Sequence, residues 1–228
     1  MIEPVTSDLL VGRGMYSYAR AAALAGTSPQ AVRRWLLGYQ GVTSEHRPVV
    51  SLELSPIDDE VTVSFLNLVE IRLIALLREK GVSLPRIRQA ADFITNEHGV
   101  AQPLAWAGLR TDGRDVFLSL GDECVQASGS RRGHLVMERV LAQYLQSLEF
   151  SDDGLAKRWY PDSGKGKIMV DPQYLFGEPA IRDTRLSTRV LFGHVLAGDS
   201  ERTVADWYNI AIEDVRSAVK FEHSMLAA

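Results

Sequence analysis

The side chains that could act as acids, bases, nucleophiles or metal ligands are scattered along this 228-residue chain. No HxxxH or HxxE spacing and no GxSxG motif occurs, and Cys124 is the only cysteine. A histidine that stands alone on a helix more often supports the fold or faces solvent. We therefore predict that the chain is not an enzyme and has no catalytic residue, metal site or cofactor. The histidines concerned are His46, His98, His134, His194 and His223.

Acidic pairs and one glycine-lysine segment are the other candidates for chemistry. Asp58–Asp59 and Asp152–Asp153 lie in predicted loops, where acids more often keep a turn solvated than bind a metal. "DSGKG" at 162–166 lacks the GxxxxGK[ST] spacing of a phosphate-binding loop, and no helix pattern follows its lysine. The segment 162–166 is therefore predicted to be the turn of a hairpin between "AKRWYP" and "KIMVDP".

The composition is typical of a soluble globular protein, with 46% hydrophobic and 24% charged residues. No apolar run approaches the ~18 residues of a membrane span, and no secretory signal is visible at the N-terminus. With one cysteine, these features favour a cytoplasmic protein without membrane contact. The net charge is −4, but residues 1–50 hold five arginines and three acids. Residues 51–167 and 168–228 each sum to −3.

The basic first segment carries a two-helix pattern that is typical of a helix-turn-helix. Ser17 can cap a first helix that stops at Gly26, and Thr27 or Ser28 can cap a second with Pro29 in its first turn. One face of the second helix is apolar, which leaves polar residues outward, where they can reach a DNA groove. The predicted DNA-binding residues are Tyr18, Ser28, Gln30, Arg33, Arg34 and Tyr39. The alternative is an ordinary helical hairpin with a solvated arginine pair.

The following segments predict an α+β, mainly α, protein. "VVSLEL" (49–54) and "VTVSF" (61–65) indicate a β-hairpin in the position of a wing, and two helices follow, at 65–80 and 84–98. The middle region adds a hairpin around Asp112–Gly113 and a helix from His134 to Leu148. Three further helices are predicted at Thr188–Ala197, Glu201–Tyr208 and Ile212–His223. The predicted domains are a winged helix-turn-helix at 1–99, a linking region with short β-hairpins and a helix at 100–166, and a three-helix domain at 167–228.

Two blocks, "YSYARAAALAGTSPQAVRRWL" and "FLNLVEIRLIALLREKGVSLPRIRQA", resemble the DNA-binding domain of MerR-type regulators. The resemblance covers about residues 14–98 and implies a helix-turn-helix, a wing and a following helix pair. MerR regulators continue into one long coiled-coil helix, whereas this chain has Pro103 and Trp106 there. MerR-style dimerisation and effector sensing are therefore not expected.

The C-terminal segments "GEPAIRDTRLSTRVLFGHVLAGDS" and "DVRSAVKFE" resemble the domain-of-unknown-function family 433, which is found in many bacterial antitoxins. The resemblance covers about residues 168–223. Asp183 stands where the family usually has glycine, so a reshaped turn is expected. Ala211 stands where a serine or threonine usually caps the third helix.

In that family the segment before the helices forms an extended lead that pairs with another copy. The resemblance therefore implies an interface, with the toxin or with a second copy, at Phe176, Pro179 and Ile181. Arg182 and Arg185 would bridge to carboxylates across it. The alternative is that both arginines bind acids of their own domain, such as Asp206 or Asp214.

A MerR-like head joined to a family-433 domain resembles the antitoxin of a VapBC-like pair. The resemblance implies that the protein neutralises a PIN-like ribonuclease toxin and represses its own operon by binding operator DNA. Two-fold operators favour a homodimer. Two alternatives remain at this point: a stand-alone MerR-like transcriptional regulator that senses a small ligand, and an oligomerising adaptor without DNA affinity.

Overall fold

The computed structural model describes residues 12–41, 45–56, 61–110, 132–162 and 166–226. Within these residues the chain forms eight α-helices and three short antiparallel strand pairs, which confirms the mainly helical α+β class. The helices are α1 (Tyr18–Ala25), α2 (Pro29–Leu37), α3 (Phe65–Glu79), α4 (Leu84–His98), α5 (Arg132–Gln146), α6 (Thr188–Leu196), α7 (Glu201–Tyr208) and α8 (Ile212–Leu226). The strands are β1 (Tyr39–Gln40), β2 (Glu45–His46), β3 (Leu148–Phe150), β4 (Ala156–Trp159), β5 (Ile168–Met169) and β6 (Ala180–Ile181).

The predicted helix-turn-helix is present with the expected caps. The Ser17 hydroxyl accepts a hydrogen bond from the Arg20 N–H at 3.2 Å, and α1 ends at Gly26, which has a left-handed φ of 71°. The Ser28 hydroxyl accepts from the Ala31 N–H at 3.2 Å, and Pro29 follows it at the start of α2. These local signals are sufficient to define both helices.

The predicted location of the wing was wrong. The short ladder after α2 joins β1 to β2, while residues 49–54 form no strand in the described part of the chain. Val49 and Val50 are buried in the core, so their apolar pattern reflects packing and not strand pairing. The side-chain amide of Asn67 takes the place of a partner strand: it donates to Ser51 O at 2.8 Å and accepts from Glu53 N at 3.0 Å. Val63, in the second predicted strand of the wing, forms an isolated antiparallel bridge with Tyr16 and does not pair with residues 49–54.

The middle region contains the predicted helix as α5. Strand β4 pairs mainly with β3, and the predicted pairing of "AKRWYP" with "KIMVDP" is limited to a Trp159–Val170 bridge. The backbone N–H groups of these two residues donate to each other's carbonyl oxygen at 2.9 and 2.8 Å. The hairpin predicted around Asp112–Gly113 lies outside the described residues.

The C-terminal segment folds as the three predicted helices behind a β5–β6 pair. Ser187 and Ser200 cap α6 and α7 with their hydroxyls. At Ala211, the position without a capping hydroxyl, the backbone carbonyl accepts from Asp214 N at 2.9 Å and closes the first turn of α8. The domain has its own apolar core, formed by Ile168, Ile181, Leu191, Val204, Ala205, Val215 and Ala218.

Asp183 adopts a left-handed backbone conformation, with a φ of 61°. The turn is closed by Thr184 N, which donates to Ile181 O at 3.1 Å. A side chain therefore stands in the left-handed region, which glycine occupies at a lower energetic cost. We predict that Asp183→Gly raises the free energy of unfolding by up to ~1 kcal/mol in thermal unfolding. Asp183→Ala should be less stable than Asp183→Gly, and the reverse order would contradict this explanation.

Candidate functional site

The outer face of α2 presents the polar residues that the sequence predicted. Gln30, Arg33 and Arg34 are exposed, whereas the opposite face of the helix is buried against the core through Val32, Trp35 and Leu36. Three long polar side chains on the second helix of a helix-turn-helix stand where base and phosphate contacts are made. The surface formed by α2 and the β1–β2 hairpin is called the α2 surface below.

The other predicted residues lie around the same helix. The guanidinium carbon of Arg34 lies 5.2 Å from the centre of the Tyr39 ring, a cation–π distance. Tyr18 is half-buried on α1; burial raises the pKa of its phenol, and the nearby positive charge of Arg33 opposes that shift. Ser28 is exposed but uses its hydroxyl to cap α2. The structure thus places Gln30, Arg33, Arg34 and Tyr39 on the α2 surface, with Ser28 at the start of α2 and Tyr18 near Arg33.

Three basic or aromatic residues at this surface were missed in the sequence. The His46 ring stacks on Tyr39 with centroids 4.4 Å apart. Arg88, on α4, donates to Pro48 O at 2.9 Å and to Arg47 O at 2.8 Å, and so holds the chain that leaves β2. Burial, and then the charge of Arg47, lower the pKa of Arg88. The "RIR" pattern at 86–88 was visible, but its position beside the hairpin depends on tertiary packing.

The β1–β2 hairpin requires glycine at its base. Gly38 has a φ of 73°, and a Cβ added there would lie 2.3 Å from His46 O. Any side chain at this position would therefore push β2 away from α2. The glycine fixes where Tyr39 stands relative to Arg34.

The C-terminal domain contacts the helix-turn-helix directly through α1. The Tyr16 hydroxyl donates to Gly177 O at 2.7 Å, and Arg20 pairs with Glu178 at 2.8 Å. Arg20 also lies 3.7 Å from Glu222 of α8, whose side chain is only 7% exposed. The Gly-Glu-Pro turn and α8 are thus anchored to the first helix of the DNA-binding motif.

The predicted interface residues separate into buried and exposed groups. Pro179 and Ile181 are buried within the protomer, and Ile181 belongs to the C-terminal core. The backbone of β6 is already bonded on both sides: Arg182 N donates to Lys167 O at 2.7 Å, and Ile181 N donates to Leu186 O at 2.9 Å. This strand therefore has no free edge for a second copy. Phe176, in contrast, is 74% exposed.

Arg182 and Arg185 are both exposed. The Arg182 Nε lies 3.4 Å from an Asp183 carboxylate oxygen, and Asp214 is paired with Lys167 at 2.7 Å. Among the described residues, Arg185 has no carboxylate within ion-pair distance. It lines a hollow of about 370 Å³ beside Tyr174 and Arg158.

A larger cleft of about 1060 Å³ lies where the three parts of the chain meet. Its walls include Arg72 of α3, Tyr144 of α5 and Trp159 of β4, with Lys220 and Phe221 of α8 on the other side. Arg72 donates to Ala25 O at 2.9 Å, and burial lowers the pKa of its guanidinium. Within the described residues there is no cluster of three or more His, Cys, Asp or Glu side chains able to hold a metal. None of the helices described is both long and apolar enough to span a membrane.

Two family models match this chain. Residues 14–91 match the family described as "Putative DNA-binding HTH domain", and residues 168–221 match "Protein of unknown function (DUF433)". The two predicted regions are thus both matched, the N-terminal one by a family described as a putative DNA-binding helix-turn-helix and the C-terminal one by DUF433. Neither family description names a catalytic activity. The likeness to MerR-type regulators stays a prediction.

Similar proteins cover nearly the whole chain. It is 24% identical over 221 residues to "Putative antitoxin VapB45" of Mycobacterium tuberculosis, covering 90% of this chain and 92% of that protein. It is 23% identical over 224 residues to "Uncharacterized protein Rv2308" of the same organism, covering 93% and 91%. The crystal structure of Rv2018 from M. tuberculosis matches with a TM-score of 0.67 at 22% identity, over 90% of this chain and 96% of that one. This last likeness concerns the fold alone.

Proposed function

We propose that this protein is a cytoplasmic, DNA-binding antitoxin that neutralises a PIN-like ribonuclease and represses its own operon. The observation that carries the proposal is similarity over 90% of this chain to a protein named "Putative antitoxin VapB45", together with an exposed arginine-bearing α2. We propose the same three regions as the sequence predicted, with residues 1–99 for DNA, 100–166 as a link and 167–228 for the toxin.

DNA binding is assigned to the α2 surface. Arg33 and Arg34 can contact bases or phosphates, and Gln30 projects from the first turn of the same helix. Tyr39 and Arg47 extend this surface along the β1–β2 hairpin and the chain that follows it. A helix-turn-helix that reads a two-fold operator binds as a homodimer.

Replacing Arg33 and Arg34 together with alanine should weaken operator binding by ~1–3 kcal/mol if they contact bases. If they bind phosphates, the slope of affinity against salt should instead fall by about one for each phosphate that is no longer neutralised. The measurement is fluorescence anisotropy with promoter DNA over a salt series.

The matched control for that measurement replaces Arg139 and Arg202 with alanine. Both arginines are exposed, so the net charge changes by the same amount away from α2. Binding that falls equally in both double variants, or in neither, would exclude α2 as the DNA-reading helix.

Toxin binding is assigned to the C-terminal domain and its exposed Phe176. The segment 168–228 has a net charge of −3, which suits a ribonuclease whose RNA-binding groove is basic. Leu175 and Phe176 both have left-handed φ values, 48° and 55°, in a turn that presents an aromatic ring to solvent. An exposed aromatic ring on a fixed turn can anchor a protein contact.

The 1060 Å³ cleft favours one alternative, a regulator that senses a small ligand between its domains. The two functions differ in one observable. An antitoxin co-purifies with a ribonuclease when both are expressed, whereas a sensor binds its promoter without any protein partner. Purification of the tagged full-length chain from cells that express the ribonuclease distinguishes them.

A further inference from the structure

Apart from Arg189 in its first turn, the outer face of α6 is apolar, although it faces solvent. Leu191 and Phe192 are buried on the inner face, while Val190 is 47% exposed and Leu196 is 71% exposed. A surface helix normally presents charged or polar side chains on its outer face. Here that face carries Arg189, Val190, Gly193, Leu196 and Ala197, which are all exposed.

Trp207 of α7 extends this face. Its side chain is 58% exposed, and its ring lies 5.5 Å from the His194 ring in an edge-on arrangement. His194 follows Val190 by one helical turn, so Trp207 flanks the Val190 side of the helix. An exposed tryptophan beside exposed aliphatic residues indicates a protein-binding surface.

Gly193 lies at the centre of this surface, and the protomer itself does not require a glycine there. A Cβ added at residue 193 would meet no atom within 4 Å. Glycine inside a helix costs ~1 kcal/mol relative to alanine. What glycine does allow is the close approach of another backbone from outside.

The face is complementary to itself. If a second copy of α6 packs antiparallel across a two-fold axis at Gly193, Val190 meets Leu196 of that copy, because both lie three residues from the axis. Arg189 then lies at the C-terminal end of the second α6. That end has exposed carbonyl charge and is followed by Asp199, so the electrostatic contact is attractive.

We propose that this protein forms a homodimer through antiparallel packing of α6 on α6 around Gly193. The proposal supplies the two-fold contact for the homodimer in the proposed function, and it replaces β6, whose backbone is already bonded. The helix spans ~13 Å, so this contact is small, and we expect a dimer that dissociates on dilution.

The test places a charge on the two-fold axis of the full-length protein. Gly193→Lys and Gly193→Glu should each raise the dimer dissociation constant at least ~10-fold in sedimentation equilibrium, because two like charges meet at the axis. Neither should lower the melting temperature, since the position is open and both residues are better helix formers than glycine. An equimolar mixture of the two variants should form dimers again, because the charges are then opposite.

The control variant is Phe93→Lys, which adds the same charge at an exposed apolar residue of α4 and should leave the dimer intact. A monomeric wild type, a dimer that neither Gly193 variant weakens, or a mixture that stays monomeric would each overturn the proposal. A wild-type monomer whose α6 face binds the ribonuclease would also overturn it. Binding of the monomeric variants to a single operator half-site, measured separately, shows whether DNA recognition survives when dimerisation fails.

Discussion

Replacing Glu70 with glutamine is expected to remove most of the loss of stability that this protein shows as the pH rises from about 5 to 8. Glu70 is completely buried on α3, and that burial raises the pKa of its carboxyl group to about 8. Hydrogen bonds from Asn67 and from the Leu104 N–H, at 3.0 and 3.3 Å, oppose the shift, and the charge of Glu53 adds to it.

The sign follows from proton uptake. Between the unfolded value of 4.5 and the folded value of about 8, the folded state holds a proton that the unfolded state has released. The free energy of unfolding therefore falls with pH in this window, by a total on the order of 5 kcal/mol. The contribution of Glu70 to the free energy of unfolding is therefore largest below pH 4.5.

Urea unfolding at a series of pH values measures this effect. The matched control is Glu97→Gln on α4. Because the Glu97 side chain is exposed to water, this substitution should leave the dependence of unfolding free energy on pH as it is in the wild type. A Glu70→Gln protein with the same pH slope as the wild type would show that Glu70 does not remain protonated in the fold.

Replacing Arg20 with alanine should destabilise the contact between α1 and the C-terminal domain by ~3 kcal/mol. Glu222 is nearly buried, and its remaining partner is the Thr188 hydroxyl, which donates to it. Removing the guanidinium leaves this carboxylate charged in a poorly solvated site. We take the low end of the range for a broken buried pair, because the Arg20 side chain is 19% exposed.

A double-mutant cycle tests whether the decrease in stability comes from this pair. Adding Glu222→Gln to Arg20→Ala removes the unpaired charge and should recover part of the stability. Additive losses in denaturant unfolding would contradict the pairing. Arg13→Ala is the comparison variant. It breaks an ion pair with Glu53 that lies entirely within the N-terminal part and does not reach the C-terminal domain.

The helices were predictable because their signals are local. Serine caps at positions 17 and 28, glycine stops and 3.6-residue apolar spacing defined helix ends to within a few residues. The wing was misplaced because a short apolar run cannot be distinguished from a buried loop by periodicity. Only the tertiary contact with Asn67 shows how residues 51 and 53 satisfy their backbone groups.

The candidate site was predictable to the extent that it lies on one helix. Gln30, Arg33 and Arg34 follow from helical geometry alone. His46 joins them through its pairing with Tyr39 in the β1–β2 ladder, and Arg88 joins them because α4 packs beside the chain that follows β2, at Arg47 and Pro48. The burial of Glu70 was also hidden, because it depends on Leu104, 34 residues further along the chain. Pro179 and Ile181 were predicted to lie in an interface, whereas both are buried within the protomer. That burial depends on the folded C-terminal domain and is not visible in the local sequence.

The central claim, the proposal that this protein is an antitoxin, is tested most directly by growth of cells that express a candidate PIN-like ribonuclease toxin. Co-expression of the full-length chain should restore growth, and the two proteins should co-purify. The Arg33→Ala/Arg34→Ala variant should restore growth equally, because DNA binding is separate, whereas Phe176→Asp should restore it poorly. If the folded wild-type chain binds its promoter but neither restores growth nor retains the ribonuclease, the protein is not its antitoxin.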